Sequence, residues 1–298
     1  MPSWKGKTRG GVSGYKIFIF ILRYFGIRPA YFLLRFVALY FFFFSPRERK
    51  AMFQYFHKIL HYSAAKSLVS IYKNYFKLGE ILLDKIALLA GFSAKFSFDF
   101  QGEEYLHQIV EEGNGGLLIS AHVGNWEIAG QLLDRLKTRV NIVMLEAEHE
   151  RIKDMLDEVM TKKNMNIIPI KEDYTHLIKI SSALQNNELV AIHGDRFMPG
   201  SKKMLADFMG KPAYFPTGPF YLASKFNKPV IFVAAMKETK THYHFYASKP
   251  KLYPHQTSIK KRDAQLKIMI GDYIKELELI VKKYPVQWFN YYYFWSLD

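Results

Sequence analysis

The chain has 298 residues, enough for one large domain with its own hydrophobic core. It contains no cysteine, which excludes disulfide bonds and cysteine-based metal sites. A formal net charge of +15 together with 16% aromatic residues indicates partners that are both anionic and apolar, as an anionic membrane surface is. Nucleic acid would satisfy the charge alone, but no helix-turn-helix, zinc-finger or single-strand-binding signature is present, so we expect no nucleic-acid partner.

Residues 1–45 are basic and strongly hydrophobic, and they predict a membrane-associating segment. The longest uncharged piece, residues 36–46, has 11 residues, short of the roughly 20 needed to span a bilayer as a straight helix. We therefore expect two helices, broken near Pro29, that lie in the interface or dip into it. The excess of Lys and Arg predicts that the segment meets the membrane from its cytoplasmic face. A buried helical hairpin of a soluble protein is the alternative.

Residues 46–298 predict one α/β domain with a central, mostly mixed sheet flanked by helices. Strands are predicted at residues 96–100, 117–120, 140–145, 166–170, 189–192, 230–233 and 243–247. Helices are predicted within residues 45–90 and at 103–112, 128–136, 147–163, 174–186, 217–225 and 262–284. Residues 208–216 are predicted to form an apolar loop.

One histidine stands out by its position. A histidine followed five residues later by Asp or Glu occurs three times, at His107, His122 and His149. His107 and His149 lie in predicted helices, where residues five apart point roughly 140° from each other and do not meet. Only His122 follows a strand and precedes a Gly-Asn turn, which can fold the carboxylate of Glu127 back onto the imidazole.

This arrangement suits a general base. Glu127 would fix the tautomer of His122 and stabilise its imidazolium, while the other ring nitrogen takes a proton from a hydroxyl or amine. Ser120 lacks the flanking glycines of a nucleophile elbow, so no serine nucleophile is expected. The alternative is a hydrogen-bonded core histidine, with Glu127 as a helix-start residue.

A second polar cluster follows the apolar run 189–192, in the sequence His193-Gly-Asp195-Arg196. Charged residues directly after a buried strand lie at the carboxyl edge of an α/β sheet, where ligands bind. Arg196 is suited to neutralising a phosphate or polarising a carbonyl, and Asp195 to orienting Arg196 or a substrate. A structural Asp-Arg pair is the competing explanation.

These motifs resemble those of a known family. The run from His122 to Glu127 resembles the His-x4-Asp/Glu block of the bacterial lipid A late acyltransferases, the lauroyl and myristoyl transferases of the glycerolipid acyltransferase superfamily. Asp195-Arg196 resembles the family's second motif, and Gln287-Trp288 is similar to its Pro-x-Gln-Trp segment. The aromatic residues 289–295 depart from the basic tail that is common in the family.

The resemblance implies an enzyme associated with the bacterial inner membrane. The enzyme would transfer a fatty acyl chain from a thioester of acyl carrier protein or coenzyme A to a glycolipid hydroxyl or amine, as in lipid A biosynthesis. It implies His122 as the base and Glu127 as its partner, and no metal or redox cofactor. We expect backbone amides near Gly124 and Asn125 to stabilise the oxyanion. Arg151 is the nearest candidate for an arginine that binds the acceptor or its phosphate.

Two alternatives stay open. The same chemistry suits another acceptor, such as an aminolipid, a phosphatidylinositol mannoside, a lysophospholipid or a polyene lipid. A non-catalytic, membrane-surface lipid-binding protein would need no chemistry. The joint presence of His122, Glu127 and Arg196 favours an enzyme.

Overall fold

The computed structural model describes residues 12–89, 96–125, 128, 136, 138–145, 165–171, 173, 175–198 and 200–295. Its strands are β1 Ser97–Gln101, β2 Gly116–Ser120, β3 Val140–Leu145, β4 Met165–Ile170, β5 Leu189–His193, β6 Lys203–Phe208, β7 Lys211–Pro216, β8 Val230–Lys237 and β9 His242–Ala247. Its α-helices are α1 Val12–Phe25, α2 Ile27–Phe44, α3 Pro46–Phe53, α4 Ala64–Leu89, α5 Glu103–Glu111, α6 Thr175–Gln185, α7 Gly218–Lys225 and α8 Ile259–Lys283. A π-helical segment, Gln54–Ile59, lies between α3 and α4 in the chain, and a 3-10 turn, Pro285–Gln287, follows α8.

A mixed sheet lies at the centre, and the predicted α/β class is confirmed. In the described chain seven strands form it, in the order β1-β9-β8-β2-β5-β3-β4, and every neighbouring pair except β8 with β9 is parallel. All five residues of β2 are buried because helices cover both faces of the sheet. Leu118 packs with α5 on one face, and Leu117 and Ile119 pack with α7 and α8 on the other.

The predicted apolar loop at residues 208–216 is wrong, since β6 and β7 form an antiparallel hairpin outside the main sheet. Its two turn residues, Met209 and Gly210, both have positive φ, at 57° and 77°, as hairpin turns that match strand twist require. Phe208 and Phe215 are fully buried, and the ring of Trp295 stacks on Phe208 at 5.5 Å. Phe208, Ala213 and Phe215 of this segment therefore belong to the core, whereas Pro212 and Tyr214 are exposed.

The break between the two N-terminal helices lies at Gly26, three residues before Pro29, near which it was expected. Gly26 has φ of 79°, a value that glycine adopts readily, and this residue separates the helical residues of α1 from those of α2. Pro29 lies in the first turn of α2, where the backbone N–H that proline lacks has no helical partner to lose. One face of α1 and α2 packs on α4, and it consists of Leu22, Ala30, Tyr31 and Leu34 against Leu83, Ile86 and Ala87.

A buried polar cluster joins α2 to the sheet. Asp84 of α4 accepts hydrogen bonds from Tyr31 of α2, Lys237 of β8 and Tyr243 of β9. The ammonium of Lys237 also donates to the Tyr31 hydroxyl at 2.8 Å, and the side chains of Asp84 and Lys237 are fully buried. Burial raises the pKa of Asp84 and lowers that of Lys237, while their pairing opposes both shifts.

We expect Lys237→Met to lower the free energy of unfolding by about 3–5 kcal/mol, because it leaves the Asp84 carboxyl buried without its cation. Asp84→Asn combined with Lys237→Met should cost less than the sum of the two single changes, as for directly interacting groups. Chemical denaturation measures both effects. Lys249→Met, at an exposed position, is the control and should change stability by no more than about 0.5 kcal/mol. A Lys237→Met loss as small as the control's would contradict the role of the pair.

Candidate active site

The register of two central strands brings the first and second motifs together. β2 and β5 are parallel neighbours, and Ser120 is paired with His193 at their carboxyl ends. His122 and Asp195 each lie two residues beyond that pair, so both emerge at the same point of the sheet edge. The distance between His122 Nδ1 and Asp195 Oδ1 is 2.7 Å.

The Asp195 carboxylate is buried and held from several sides. Besides the His122 ring, it accepts the His122 backbone N–H at 3.0 Å and the Trp288 indole N–H at 3.3 Å. Burial by itself would raise the pKa of Asp195, but the charge and hydrogen bond of His122 and the charge of Arg196 hold it well below its ordinary value. Asp195 is therefore ionised at neutral pH, and its acceptor oxygen fixes the proton of His122 on Nδ1.

His122 itself reaches the surface of the site, with 14% of its side chain exposed. With the proton on Nδ1, Nε2 carries the ring lone pair and is the basic nitrogen. A histidine with a buried carboxylate behind it and its edge at the surface has the geometry of a general base.

A second imidazole lies beside the first. The ring centroids of His122 and His193 are 4.4 Å apart. Burial, followed by the charge of His122, lowers the pKa of His193 to about 3, so this ring is neutral at physiological pH. A neutral ring in this place adds no positive charge next to the imidazolium that a base must form.

Arg196 lies on the other side of Asp195. Its Nη2 donates to the Phe289 carbonyl at 2.8 Å, and its guanidinium lies 5.9 Å from the centroid of the Tyr292 ring. Its Nε is buried and has no hydrogen-bond partner in the part of the chain that the structure describes. A buried guanidinium donor of this kind is suited to an incoming anionic or carbonyl oxygen.

The segment after α8, residues 285–295, closes one side of the site, and we call it the C-terminal strap. Trp288 pairs with Val123 in an antiparallel bridge, and the Phe289 N–H donates to the His122 carbonyl at 2.8 Å. The Tyr292 hydroxyl donates to the Asp195 carbonyl at 3.2 Å. The strap thus fixes the backbone of both site residues.

Gly124 and Asn125 serve the backbone in this structure. The Gly124 N–H donates to the Gln287 carbonyl at 2.9 Å, and the Asn125 N–H donates to the Ala235 carbonyl at 2.7 Å. Gly124 has φ of 56°, and a Cβ there would lie 2.1 Å from the Ala235 oxygen, so only glycine fits. Because both N–H groups already have acceptors, we do not assign them the oxyanion role expected from the sequence.

The side chain of Asn125 is also structural. It is buried, its amide donates to Ile81 and Tyr243 at 3.3 Å, and its Oδ1 accepts the Ile128 N–H at 3.2 Å. Asn125 therefore ties the turn after His122 to α4 and to the buried polar cluster around Asp84.

Two residues of the predicted site, Glu127 and Arg151, lie outside the described residues, so their predicted roles stay predictions. Asp195 is the carboxylate partner of His122 in the structure, whereas the sequence predicts that Asp195 orients Arg196 or a substrate. Trp288 and Tyr292 were not predicted as site residues. The sequence shows that Asp195 follows a strand. It does not show the register between β2 and β5, which brings Asp195 to His122.

His122, His193 and Asp195 are the described residues that offer metal-ligand atoms close together, within 4.8 Å of one another. The 2.7 Å contact between His122 Nδ1 and Asp195 Oδ1 is a hydrogen bond with a proton between the two atoms, so these two atoms do not bind one metal ion together. Two atoms bound to one zinc at about 2.1 Å in tetrahedral geometry would lie farther apart, at roughly 3.4 Å.

Comparisons with known proteins show which family the chain is similar to. Residues 7–292 match the model of the family described as bacterial lipid A biosynthesis acyltransferase. A comparison with curated proteins gave no match. A similar solved structure is the 1-acyl-sn-glycerophosphate (LPA) acyltransferase PlsC from Thermotoga maritima, which is 15% identical, with a TM-score of 0.39 over 83% of this chain and 95% of that chain.

The neutral state of His193 predicts a pH dependence of stability. Below its ordinary pKa of 6.5 the unfolded chain binds a proton that the folded chain excludes down to about pH 3. The contribution of His193 is therefore complete above pH 6.5 and is lost as the pH falls, by at most about 1.4 kcal/mol per pH unit. Denaturation at several pH values should give a shallower slope for His193→Asn than for the parent chain. His255→Asn, at an exposed position, should keep the parental slope, and equal slopes for all three proteins would contradict the assignment.

Proposed function

The chain belongs to the bacterial lipid A biosynthesis acyltransferase family, and we propose that it transfers a fatty acyl chain from the thioester of acyl carrier protein or coenzyme A to a hydroxyl of a membrane glycolipid. Acyl transfer is the activity of the family. The donor, the acceptor and the inner-membrane location are our proposals. The observation that carries the chemistry is the 2.7 Å contact between His122 Nδ1 and the buried Asp195 carboxylate.

In this mechanism His122 acts as the base. Its Nε2 takes the proton from the acceptor hydroxyl while the oxygen attacks the thioester carbonyl carbon. Asp195, ionised and buried, stabilises the imidazolium through Nδ1 without itself taking the proton. His193, neutral and adjacent, does not oppose the charge that forms on His122.

The second half of the reaction returns the proton. The tetrahedral intermediate collapses, the C–S bond breaks, and the leaving thiolate takes the proton from Nε2 of His122. The products are an ester and a free thiol, so the imidazole is neutral again. Arg196 Nε, a buried donor beside this pair, is our candidate for stabilising the negative charge on the carbonyl oxygen.

The surface of the N-terminal helices supports a membrane location. In the part of the chain that the structure describes, α2 is the one helix that is long and apolar enough to cross a membrane by length and composition. The face of α1 and α2 that points away from α4 exposes many aromatic side chains: Phe20, Tyr24, Phe25, Phe32, Phe36, Tyr40, Phe43 and Phe44. An apolar patch of this kind with arginines around it fits a lipid surface, and its Arg content favours the cytoplasmic face.

We expect His122→Ala to lower kcat/KM for acyl transfer at least about a hundredfold, because it removes the general base. Asp195→Asn should cause a loss of similar size, since an amide neither stabilises the imidazolium nor fixes the tautomer. The measurement is transfer of a labelled acyl chain from the thioester to a lipid extract by purified protein.

His255→Ala is the matched control for this assay, because His255 is exposed and far along the chain from the site. Glu127→Gln in the same assay tests the partner predicted from the sequence. Full activity of Asp195→Asn together with loss of activity in Glu127→Gln would refute the pair that we propose.

Arg196→Gln should lower kcat by about a hundredfold with a smaller change in KM, because the donor acts on charge that develops in the transition state. Arg196→Lys should restore little activity, since an ammonium does not reproduce the planar guanidinium. Steady-state kinetics with saturating acceptor separates kcat from KM. A change confined to KM would instead assign Arg196 to substrate binding.

The acceptor is best identified in cells. Mass spectrometry of lipids from cells lacking the gene should show loss of an acylated glycolipid and accumulation of its precursor with one acyl chain fewer. An altered aminolipid, phosphatidylinositol mannoside, lysophospholipid or polyene lipid would replace the proposed acceptor while keeping the chemistry.

A further inference from the structure

A basic groove lies at the end of α2, between α3, the π-helical segment and the C-terminal strap. Its volume is about 310 Å³, and it is lined by Arg49, Lys50, Phe53, Gln54, Lys58, Leu68 and Tyr293. We refer to it as the α3 groove. Nothing in the acyl-transfer mechanism uses it.

The groove carries uncompensated positive charge. Arg49, Lys50 and Lys58 line the groove and form no ion pair with a carboxylate within the described ranges of the chain. The guanidinium of Arg49 is held in place by a 2.7 Å hydrogen bond to the Phe42 carbonyl and lies 5.5 Å from the centroid of the Phe42 ring. A planar cation fixed in this way is suited to a phosphate oxygen.

Gln54, which lines the groove, has a hydrogen-bond acceptor without a donor. Gln54 Oε1 is buried and has no hydrogen-bond partner among the described residues. Such an atom is costly unless a ligand supplies an O–H or N–H group. Cations together with an orphaned acceptor predict a ligand that carries both a phosphate and hydroxyl groups.

The position of the groove indicates where this ligand comes from. The exposed rings of Phe43 and Phe44 end α2, and the groove begins one turn later. If the aromatic face of α2 is immersed in lipid, as the proposed membrane location requires, the cations after it lie at the depth of the headgroups. This favours a lipid over a soluble phosphate.

The groove is also coupled to the active site. Tyr55, which follows Gln54, packs its ring 5.0 Å from that of Trp288, whose indole donates to Asp195. On the strap, Tyr293 lines the groove while the adjacent Tyr292 donates to the Asp195 carbonyl. A headgroup in the groove therefore lies next to residues that contact Trp288 and the C-terminal strap, which form one side of the catalytic site.

We infer that the α3 groove binds the phosphate of a membrane lipid whose headgroup carries hydroxyl groups, and thereby holds the active site at the bilayer surface. The inference rests on the proposed membrane location and is independent of the chemistry at His122. Phosphatidylglycerol is the simplest lipid with this headgroup chemistry.

The test is partitioning of the purified full-length chain onto phosphatidylcholine vesicles with and without phosphatidylglycerol. The variant Arg49→Gln/Lys50→Gln/Lys58→Gln should lose at least about tenfold more affinity for the anionic vesicles than Lys260→Gln/Lys261→Gln/Lys267→Gln. The second variant removes the same charge from exposed positions on α8. Equal losses of affinity in the two variants would show that net charge alone causes the effect, and would overturn the inference.

Three further measurements test the hydroxyl contact, the choice of a lipid over free phosphate, and the choice of a lipid over acyl carrier protein. Gln54→Leu should reduce the preference for phosphatidylglycerol over phosphatidic acid, and an unchanged preference would overturn the hydroxyl contact. Inorganic phosphate should not displace the chain from vesicles, and displacement at low concentration would overturn the choice of a lipid. Loss of binding to an acidic acyl carrier protein in the groove variant, with lipid binding intact, would assign the groove to the carrier and overturn the proposal.

The outcome is distinguishable from failure of the proposed function. His122→Ala should partition onto vesicles like the parent chain because the base lies outside the groove. Lipid binding with no acyl transfer in the parent chain would contradict the proposed reaction alone. Acyl transfer with equal partitioning of the two triple variants would contradict the groove alone.

Thermal denaturation of each variant excludes misfolding, and Lys50→Gln alone, at an exposed position, tests the groove if the triple variant is unstable.

Discussion

The parallel pairing of β2 with β5 is the constraint on which the candidate active site depends. It places Ser120 opposite His193, and the chain then needs two further residues on each strand to bring His122 against Asp195. A slip of one residue would move the carboxylate by about 3.3 Å and turn its side chain to the other face of the sheet. Directional contacts at the carboxyl end of β2 hold this register: the Ser120 carbonyl accepts the Gly194 N–H at 2.8 Å and the Tyr273 hydroxyl at 3.1 Å.

Lys237 connects the site to the N-terminal helices. Its backbone N–H donates to the Gln287 side chain at 3.0 Å, and its carbonyl accepts from the same amide at 2.8 Å, which fixes the start of the strap. Its side chain meanwhile pairs with Asp84 and Tyr31. Lys237, at the end of β8, thus contacts both the C-terminal strap, which forms one side of the site, and α2, the helix that we propose meets the membrane.

Directional contacts are needed at this junction because apolar packing alone specifies position weakly. α2 presents apolar side chains both to α4 and to the outside, so burial by itself discriminates little between its faces. The hydrogen bond from Tyr31 to Asp84 is made by one face only and fixes the rotation of the helix. The exposed aromatic face is then directed away from the core, where the proposed function requires it.

The sequence by itself determined the α/β class, the order of most strands and helices, and the family, because hydrophobic periodicity and short polar motifs are local properties of the chain. It also identified His122, Asp195 and Arg196 as residues that follow buried strands. It predicted the helix break near Pro29, three residues after its position at Gly26. It predicted a loop where β6 and β7 form a hairpin, since a Met-Gly turn gives little local signal.

Only the tertiary structure decided which carboxylate lies on His122 Nδ1, because that choice depends on which strands are neighbours and in what register. It also decided that the N–H groups of Gly124 and Asn125 are taken by Gln287 and Ala235, residues more than a hundred positions away in the chain. Such contacts leave no trace in local spacing. The sequence names the chemical groups of a site, whereas long-range backbone pairing decides which of them meet.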